Sequence, residues 1–425
     1  MPQTAPLPSV TKLLRRASSA YNAANFAQAI EHSRAALLIL ISLNEENTNA
    51  LQDEAYERLV LSYQRTGEYA EAAQVITEWR ANTERPEGKV RSLIQHSRVT
   101  SFQGDFDTAH KLVKEASEQA TEIGYEAGMG LAKRVEADLY WKRGHTDQAL
   151  VLGQQALTLL ESAHDLEQQA ATLVSLAAAY HHSGQFYKAL QHEQRAVHII
   201  EQLGRQFELA IVHSNLGESY AEIYAMDRAL EAHQKALELV GMERAHPDLL
   251  RNLGVDLIAV GREEEGREYL NTALERARTS SDPDMIAQTL HSLARIELRA
   301  GNLDTAETHA GELLEIANRI SALRHRMRAW LLLGDIARQR GDQERARQLF
   351  NDCSMEAQQA SDRYTIWRTH AALADLMQET LPQMAEIHHR MAAEMMNDIL
   401  AGITDEDLAR TFRSAEEVQA ILGPV

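Results

Sequence analysis

Apolar residues recur along the chain in pairs three positions apart, such as Leu173 with Leu176 and Leu290 with Leu293, with polar positions between them. That spacing places both side chains on one face of a helix. About eight residues after each pair comes a short unit: a small residue, an aromatic or leucine two positions on, then alanine five positions on. It reads Ala24, Phe26 and Ala29, then Gly67, Tyr69 and Ala72, then Gly104, Phe106 and Ala109. It continues with Gly144 and Ala149, with Gly184, Phe186 and Ala189, and with Tyr224 and Ala229. Gly261 with Gly266, then Gly301, Leu303 and Ala306, and finally Gly341 with Ala346 complete the series. From Gly104 to Tyr224 and from Gly261 to Gly341 the step is 40 residues; two steps shorten to 37 and the first is 43.

Each unit is a helix–turn–helix signal. Glycine at the turn takes a left-handed backbone at low steric cost and ends the first helix. The small residue five positions later lies where the second helix crosses the first, and a larger side chain would push the two apart. A hairpin with a single apolar face cannot bury it alone, so hairpins must stack on one another. The pattern predicts an all-α solenoid of about nine to ten hairpins, a right-handed α-α superhelix by the resemblance given below. Residues 1–8 are expected to be disordered, 9–380 to form the repeats, and 381–425 to form a degenerate repeat with capping helices.

Composition agrees with helices: the 425 residues include only 8 Pro and 5% aromatic side chains, and the sequence is rich in Ala, Leu, Glu, Gln and Arg. A net charge of −19 opposes non-specific binding to nucleic acid or to anionic membranes. Cys353 is the only cysteine, which excludes an intrachain disulfide. Residues 1–16 lack the apolar stretch of a secretory signal, and the apolar run Ala35–Ile41 is far shorter than the ~20 residues that span a bilayer. A cytoplasmic protein is expected.

Trp330, Leu333, Gly334, Ala346 and Phe350 match the W-x2-L-G…A-x3-F pattern of the tetratricopeptide repeat. Leu216, Gly217, Tyr220, Ala229 and Ala236 fit the same template, as do Leu176, Ala177, Tyr180, Ala189 and Ala196. The 40-residue form, with Asn215 and Asn252 before Leu-Gly, resembles the repeats of kinesin light chain and the arrays of bacterial signalling ATPases. The departures are Ala24 and Tyr224, which stand where the template has a turn glycine.

That resemblance implies a protein or peptide partner seated on the first helix of each hairpin. Template positions on that face hold Arg134, Arg251, Arg295 and Arg299, more arginine than acid on a chain of the opposite net charge. Guanidinium groups bind carboxylate or phosphate with two parallel hydrogen bonds, which points to an acidic or phosphorylated partner. Arginine and glutamate also pair across helical turns without any ligand. Asn215 and Asn252 occupy one position of successive repeats, where in similar domains an amide hydrogen-bonds the backbone of an extended peptide. Trp141 offers an aromatic anchor or a packing group. The segment holding Leu38, Ile39, Leu40 and Ile41 is apolar all round its helix, which suits an oligomer or partner interface as well as burial.

At the C-terminal end, helices are expected over about Gln383–Leu400 and Asp405–Leu422. Thr404 reads as the cap of the last one, and Ser414 with Glu417 has capping-box spacing. The stripe Met384, Ile387, Met391 and Met395 reads as cap core, with an adaptable docking surface as the alternative.

The search for catalytic chemistry finds no metal or cofactor motif. His181 with His182 and His388 with His389 are adjacent pairs, which diverge on a helix, and zinc spacings, phosphate loops and nucleophile elbows are absent. Gly124, Gly128 and Gly130 lie at a repeat junction and read as a helix break. The leading reading is a non-enzymatic scaffold or regulator in bacterial signalling or transcription. An intracellular receptor for a quorum-sensing type of peptide is the second, and a cryptic hydrolase or metalloenzyme the third. A homo-oligomer remains open.

Overall fold

The computed structural model describes residues 6–43, 45–359 and 362–424. The described residues form twenty-two α-helices and two short 3-10 helices, Glu46–Thr48 and Met242–Arg244, and no strand. Successive helices pair as hairpins. The first are α1 (Pro6–Asn22) with α2 (Phe26–Leu43), α3 (Asn49–Thr66) with α4 (Tyr69–Asn82), and α5 (Pro86–Phe102) with α6 (Phe106–Glu122). Next come α7 (Glu126–Lys142) with α8 (Thr146–Ser162), and α9 (Leu166–His182) with α10 (Phe186–Leu203). They are followed by α11 (Gln206–Glu222) with α12 (Met226–Val240), and α13 (Pro247–Ala259) with α14 (Glu263–Thr279). The last full hairpins are α15 (Pro283–Arg299) with α16 (Leu303–Arg319), α17 (Leu323–Gln339) with α18 (Gln343–Gln359), and α19 (Arg363–Met377) with α20 (Pro382–Gly402). Two short helices, α21 (Glu406–Ser414) and α22 (Glu416–Leu422), close the chain. The fold is an all-α solenoid of hairpins.

The chain divides into two compact units, Met1–Tyr180 with Gln191–Val212 and His181–Leu190 with His213–Val425. In the first unit Val10, Leu40, Tyr56, Leu59, Ile76 and Trp79 pack in one cluster, and Leu93, Ile94, Val113, Val135 and Leu160 in another. In the second, Leu270, Leu290, Leu313 and Ile336 line one core, and Ala346, Phe350, Leu373 and Met377 a neighbouring one.

All nine repeat turns take positive φ, including the two that lack glycine: Ala24 at 56° and Tyr224 at 60°. The periodic small residues do the packing expected of them. At α13–α14 the helices come so close that a Cβ added to Gly266 would lie 2.5 Å from the carbonyl oxygen of Gly254. Backbone meets backbone there, which explains glycine where other repeats carry alanine.

Several boundaries differ from the pattern. Helix α1 begins at Pro6, inside the segment expected to be disordered, and residues 1–5 lie outside the described ones. Gly124 ends a helix at φ 68°, yet Gly128 and Gly130 lie inside α7, against Tyr125 and Leu160. The hairpin α19–α20 straddles position 381. The expected last helix is two helices, broken at Ala415 with ψ 138°, and Asp405, not Thr404, caps α21 by accepting from the amide of Leu408 at 2.9 Å. Glu417 serves no capping box; its carboxylate is engaged elsewhere. The Met stripe is cap core only at Met395, which packs partly buried against the C-terminal core; Met384, Ile387 and Met391 are exposed, while Ala385, Ala392 and Met396 face inward. Helix α2 is long and apolar enough, by length and composition, to cross a membrane, but Ala29, Ser33, Ala36, Leu37 and Leu40 on it are buried.

Candidate functional site

First helices of the hairpins line one face of the second unit, and on it lies a cavity of about 320 Å³. Helix α15 contributes His291, Arg295 and Arg299, α17 contributes Arg328, Asp335 and Arg338, and α19 contributes Trp367, Arg368 and Asp375. Leu298, Leu331, Leu332 and Ala371 supply apolar wall. These side chains converge because positions three, four and seven apart share a helix face. Further wall comes from His389 and Ala392 of α20 and from Glu417, Ala420 and Ile421 of α22, at the C-terminal end of the chain.

Glu417 lies among arginines. Arg299 donates from Nη2 to its Oε1 at 2.6 Å, Arg295 Nη2 lies 3.4 Å from the same oxygen, and Arg368 Nη2 is 3.9 Å from Oε2. Tyr224 donates its hydroxyl to Oε2 at 2.7 Å, and its ring meets Phe412 with centroids 5.8 Å apart. Burial would raise the Glu417 pKa, but Arg368, Arg295, the tyrosine hydroxyl and Arg299 bring it down to about 2. Burial, then the field of Arg328, Arg295, Arg251 and Arg368, pushes His291 well below its usual value, so that ring is neutral. Arg338 pairs with Asp335 at 3.2 Å and Asp375 at 3.9 Å. Five arginines and three carboxylates, one of them lent by α22, line the cavity.

Of the residues singled out from the pattern, Arg295 and Arg299 line this cavity. Arg251 and Asn252 lie on α13 and are tied to the chain itself. Arg251 donates to Asp248 at 2.6 Å, and Asn252, buried, donates from Nδ2 to Glu218 Oε1 at 2.9 Å. The Asn252 amide is thus buried, with one donor engaged by a carboxylate one hairpin away. Asn215, on α11, is half-buried. Arg134 belongs to the first unit, buried, 3.6 Å from Asp138 and 3.4 Å from Gln168. Trp141 is 40% exposed. In the apolar run of α2, Leu38 and Ile41 are exposed and Ile39 half-buried, but Leu40 sits in the core and cannot meet a partner.

Burial raises the Cys353 thiol to about 12, and its sulfur sits 3.4 Å from the Thr369 hydroxyl. No group of three or more metal-ligating side chains converges among the described residues. Sequence reading paired His388 with His389, but the structure pairs it with His370 across α19–α20, Nδ1 to Nδ1 at 2.9 Å with the rings stacked. Burial, and for His370 also the neighbouring ring, hold both below the usual histidine value of 6.5. Both rings therefore prefer to be neutral in the folded state, and unfolding gives back proton affinity. Their contribution to stability is complete above pH 6.5 and is lost as pH falls below it, His291 and His325 acting in the same direction. Urea denaturation should show the second unit weakening between about pH 7.5 and 5.5, and His388→Asn should flatten that slope.

Comparison with known proteins places the repeat. The tetratricopeptide-repeat family model matches residues 247–319 and 285–354. A comparison with curated proteins finds no match. Among solved structures, a Rap protein in complex with competence and sporulation factor is 14% identical, with a TM-score of 0.63 over 84% of this chain and 100% of that one. The apo form of the quorum sensor NprR from B. thuringiensis is 14% identical, with a TM-score of 0.55 over 82% of this chain and 99% of that one. A signal-transduction ATPase with a tetratricopeptide-repeat sensor from Pyrococcus horikoshii is 15% identical, with a TM-score of 0.50 over 87% of this chain and 55% of that one. At such identities the likeness is one of fold. Residues 247–354 are tetratricopeptide repeats, and over the rest of the chain the likeness is to the all-α fold of those solved structures.

Proposed function

We propose that the chain is a non-enzymatic binding protein of the cytoplasm, and that the arginine-lined cavity of the second unit seats an acidic segment of a peptide or protein. The observation that carries the reading is the set of five arginines on three successive first helices around an unfilled cavity, in a chain of net charge −19. Arginine forks bind carboxylates with directional, charge-assisted hydrogen bonds, and the leucine and tryptophan wall accommodates the adjoining apolar atoms. The cavity's 320 Å³ suits one or two side chains or a peptide end, so a short peptide or an extended tail is favoured over a folded domain. The reading extends to a role in signalling or transcriptional regulation, and two neighbours, one solved with competence and sporulation factor and one described as a quorum sensor, are in keeping with it. Partner recognition in the second unit leaves the buried Asn252 aside and takes Asn215 as a secondary contact.

The test is fluorescence anisotropy with labelled hexaglutamate and hexaglutamine. Hexaglutamate is expected to bind the more tightly, and Arg338→Glu should weaken it by about tenfold or more while leaving hexaglutamine unchanged. Arg338 is the informative position because it faces the cavity without touching Glu417. The reading is wrong if neither the natural chain nor Glu417→Gln prefers hexaglutamate.

A further inference from the structure

The arginine cluster already has an occupant, and the occupant is the end of the chain itself. We propose that α22 is a built-in competitor whose Glu417 holds the place of the partner's acidic group, so that the partner binds by displacing this helix. The proposal rests on the reading above and specifies how that site is regulated.

Three observations carry it. The carboxylate contacts are those a guest would make: Glu417 receives Arg299 at 2.6 Å and Tyr224 at 2.7 Å, with Arg295 and Arg368 within 4 Å. The helix that brings it is short and set off from the rest of the cap. It has seven residues, follows a break at Ala415 with ψ 138°, and buries Val418 and Ile421. Those two side chains share a core with Leu408 and Phe412 of α21 and with Leu216, Tyr220 and Ile223. Displacement of α22 from the break at Ala415 would uncover Val418 and Ile421 while Leu408 and Phe412 keep α21 in place. The fit is also incomplete: α22 presents Ala420 to the cavity and leaves its 320 Å³ unfilled. A guest's acid could thus engage Arg338 and Arg368 before Glu417 lets go.

Tyr224 supplies an independent sign. It occupies a repeat turn at φ 60°, where glycine would be relaxed and a non-glycine residue costs about 1–2 kcal/mol. Its side chain then spends that strained position on Glu417 and Phe412. Two of the nine repeat turns, Ala24 and Tyr224, retain such strain, and at Tyr224 the side chain holds the C-terminal helices, as a latch requires.

The experiment compares the natural chain with Glu417→Gln and Val418→Ala, each as the full chain. Glu417→Gln removes the competing charge, and Val418→Ala loosens the helix with the charge kept. Both should bind labelled hexaglutamate about tenfold more tightly than the natural chain. Adding hexaglutamate to the natural chain should speed amide hydrogen exchange across residues 416–422 and leave that of 406–414 unchanged. Tighter binding by Glu417→Gln with unchanged exchange in 416–422 would mean that Glu417 merely dilutes the positive field, and the latch would be rejected. Equal binding by all three chains also rejects it while leaving the acidic-ligand reading intact. Absence of hexaglutamate binding in all three overturns the reading itself.

Discussion

Replacing Trp79 with alanine is expected to cost the first unit about 3–5 kcal/mol of stability, more than any surface change in the chain. The indole is 0% exposed and stacks on Tyr56 with ring centroids 6.2 Å apart and planes 9° from parallel. Its Nε1 donates to Oδ1 of Asp53 at 2.7 Å, and Asp53 is itself only 1% exposed, with Arg85 3.5 Å from its other oxygen. Alanine would open a cavity between α3 and α4 and withdraw the closest donor from a buried carboxylate, two separate penalties. Trp79→Phe separates them, because it keeps most of the packing and removes only the donor, for about 1–3 kcal/mol. Urea denaturation followed by circular dichroism measures both. A loss below about 1 kcal/mol for the alanine variant would mean that the α3–α4 core relaxes around the vacancy instead of paying for it.

The turns were legible because they are local. A period near 40 residues located all nine, and positive φ holds even at Ala24 and Tyr224, where residue type alone would have denied it. The loops between hairpins were harder: His164, Ser281 and Ser321 take φ of 54–55° with no glycine to announce them. At the C-terminal end the same local reasoning misled. Ser414 and Glu417 have capping-box spacing, yet Glu417 answers to Arg299 and Tyr224, 118 and 193 positions away. No periodicity encodes a pairing of that separation; only the fold brings it together. The one available signal was the departure itself, a tyrosine where the repeat asks for glycine. The Met stripe, of which Met395 alone packs against the cap core, is misjudged for a related reason. Helical spacing shows that Met384, Ile387 and Met391 share a face but not which face the neighbouring helix covers, and α19 covers the side of Ala385 and Ala392.

The position of Asn252 leads to the second large effect. The amide was read as a ligand contact, but it belongs to a polar interior. Next to it on α13, Asp256 is 1% exposed and lies 2.5 Å from Nδ1 of His233 on α12, which is equally buried. The other side of that imidazole presses on α11, where a Cβ added to Gly217 would come within 2.5 Å of ring atoms Cε1 and Nε2. Gly217, the glycine of the repeat's Leu-Gly signature, is thus small to admit His233. Burial raises the pKa of Asp256, and His233 followed by Arg251 pulls it back, so the carboxyl depends on its partner. His233→Ala should therefore destabilise the second unit by about 3–5 kcal/mol, through a cavity beside Gly217 and an unmatched buried carboxyl. Changing both partners, His233→Leu with Asp256→Leu, should recover much of that loss, because two apolar groups leave nothing unpaired. Urea denaturation of the three chains decides it: a double variant as unstable as His233→Ala would mean that packing against Gly217 dominates and the polar pair contributes little. Hexaglutamate affinity, measured on the folded variants, should stay within about twofold of the natural chain, since none of these residues lines the arginine cavity. A loss of affinity with stability restored would instead extend the ligand site from α15–α19 back to α13.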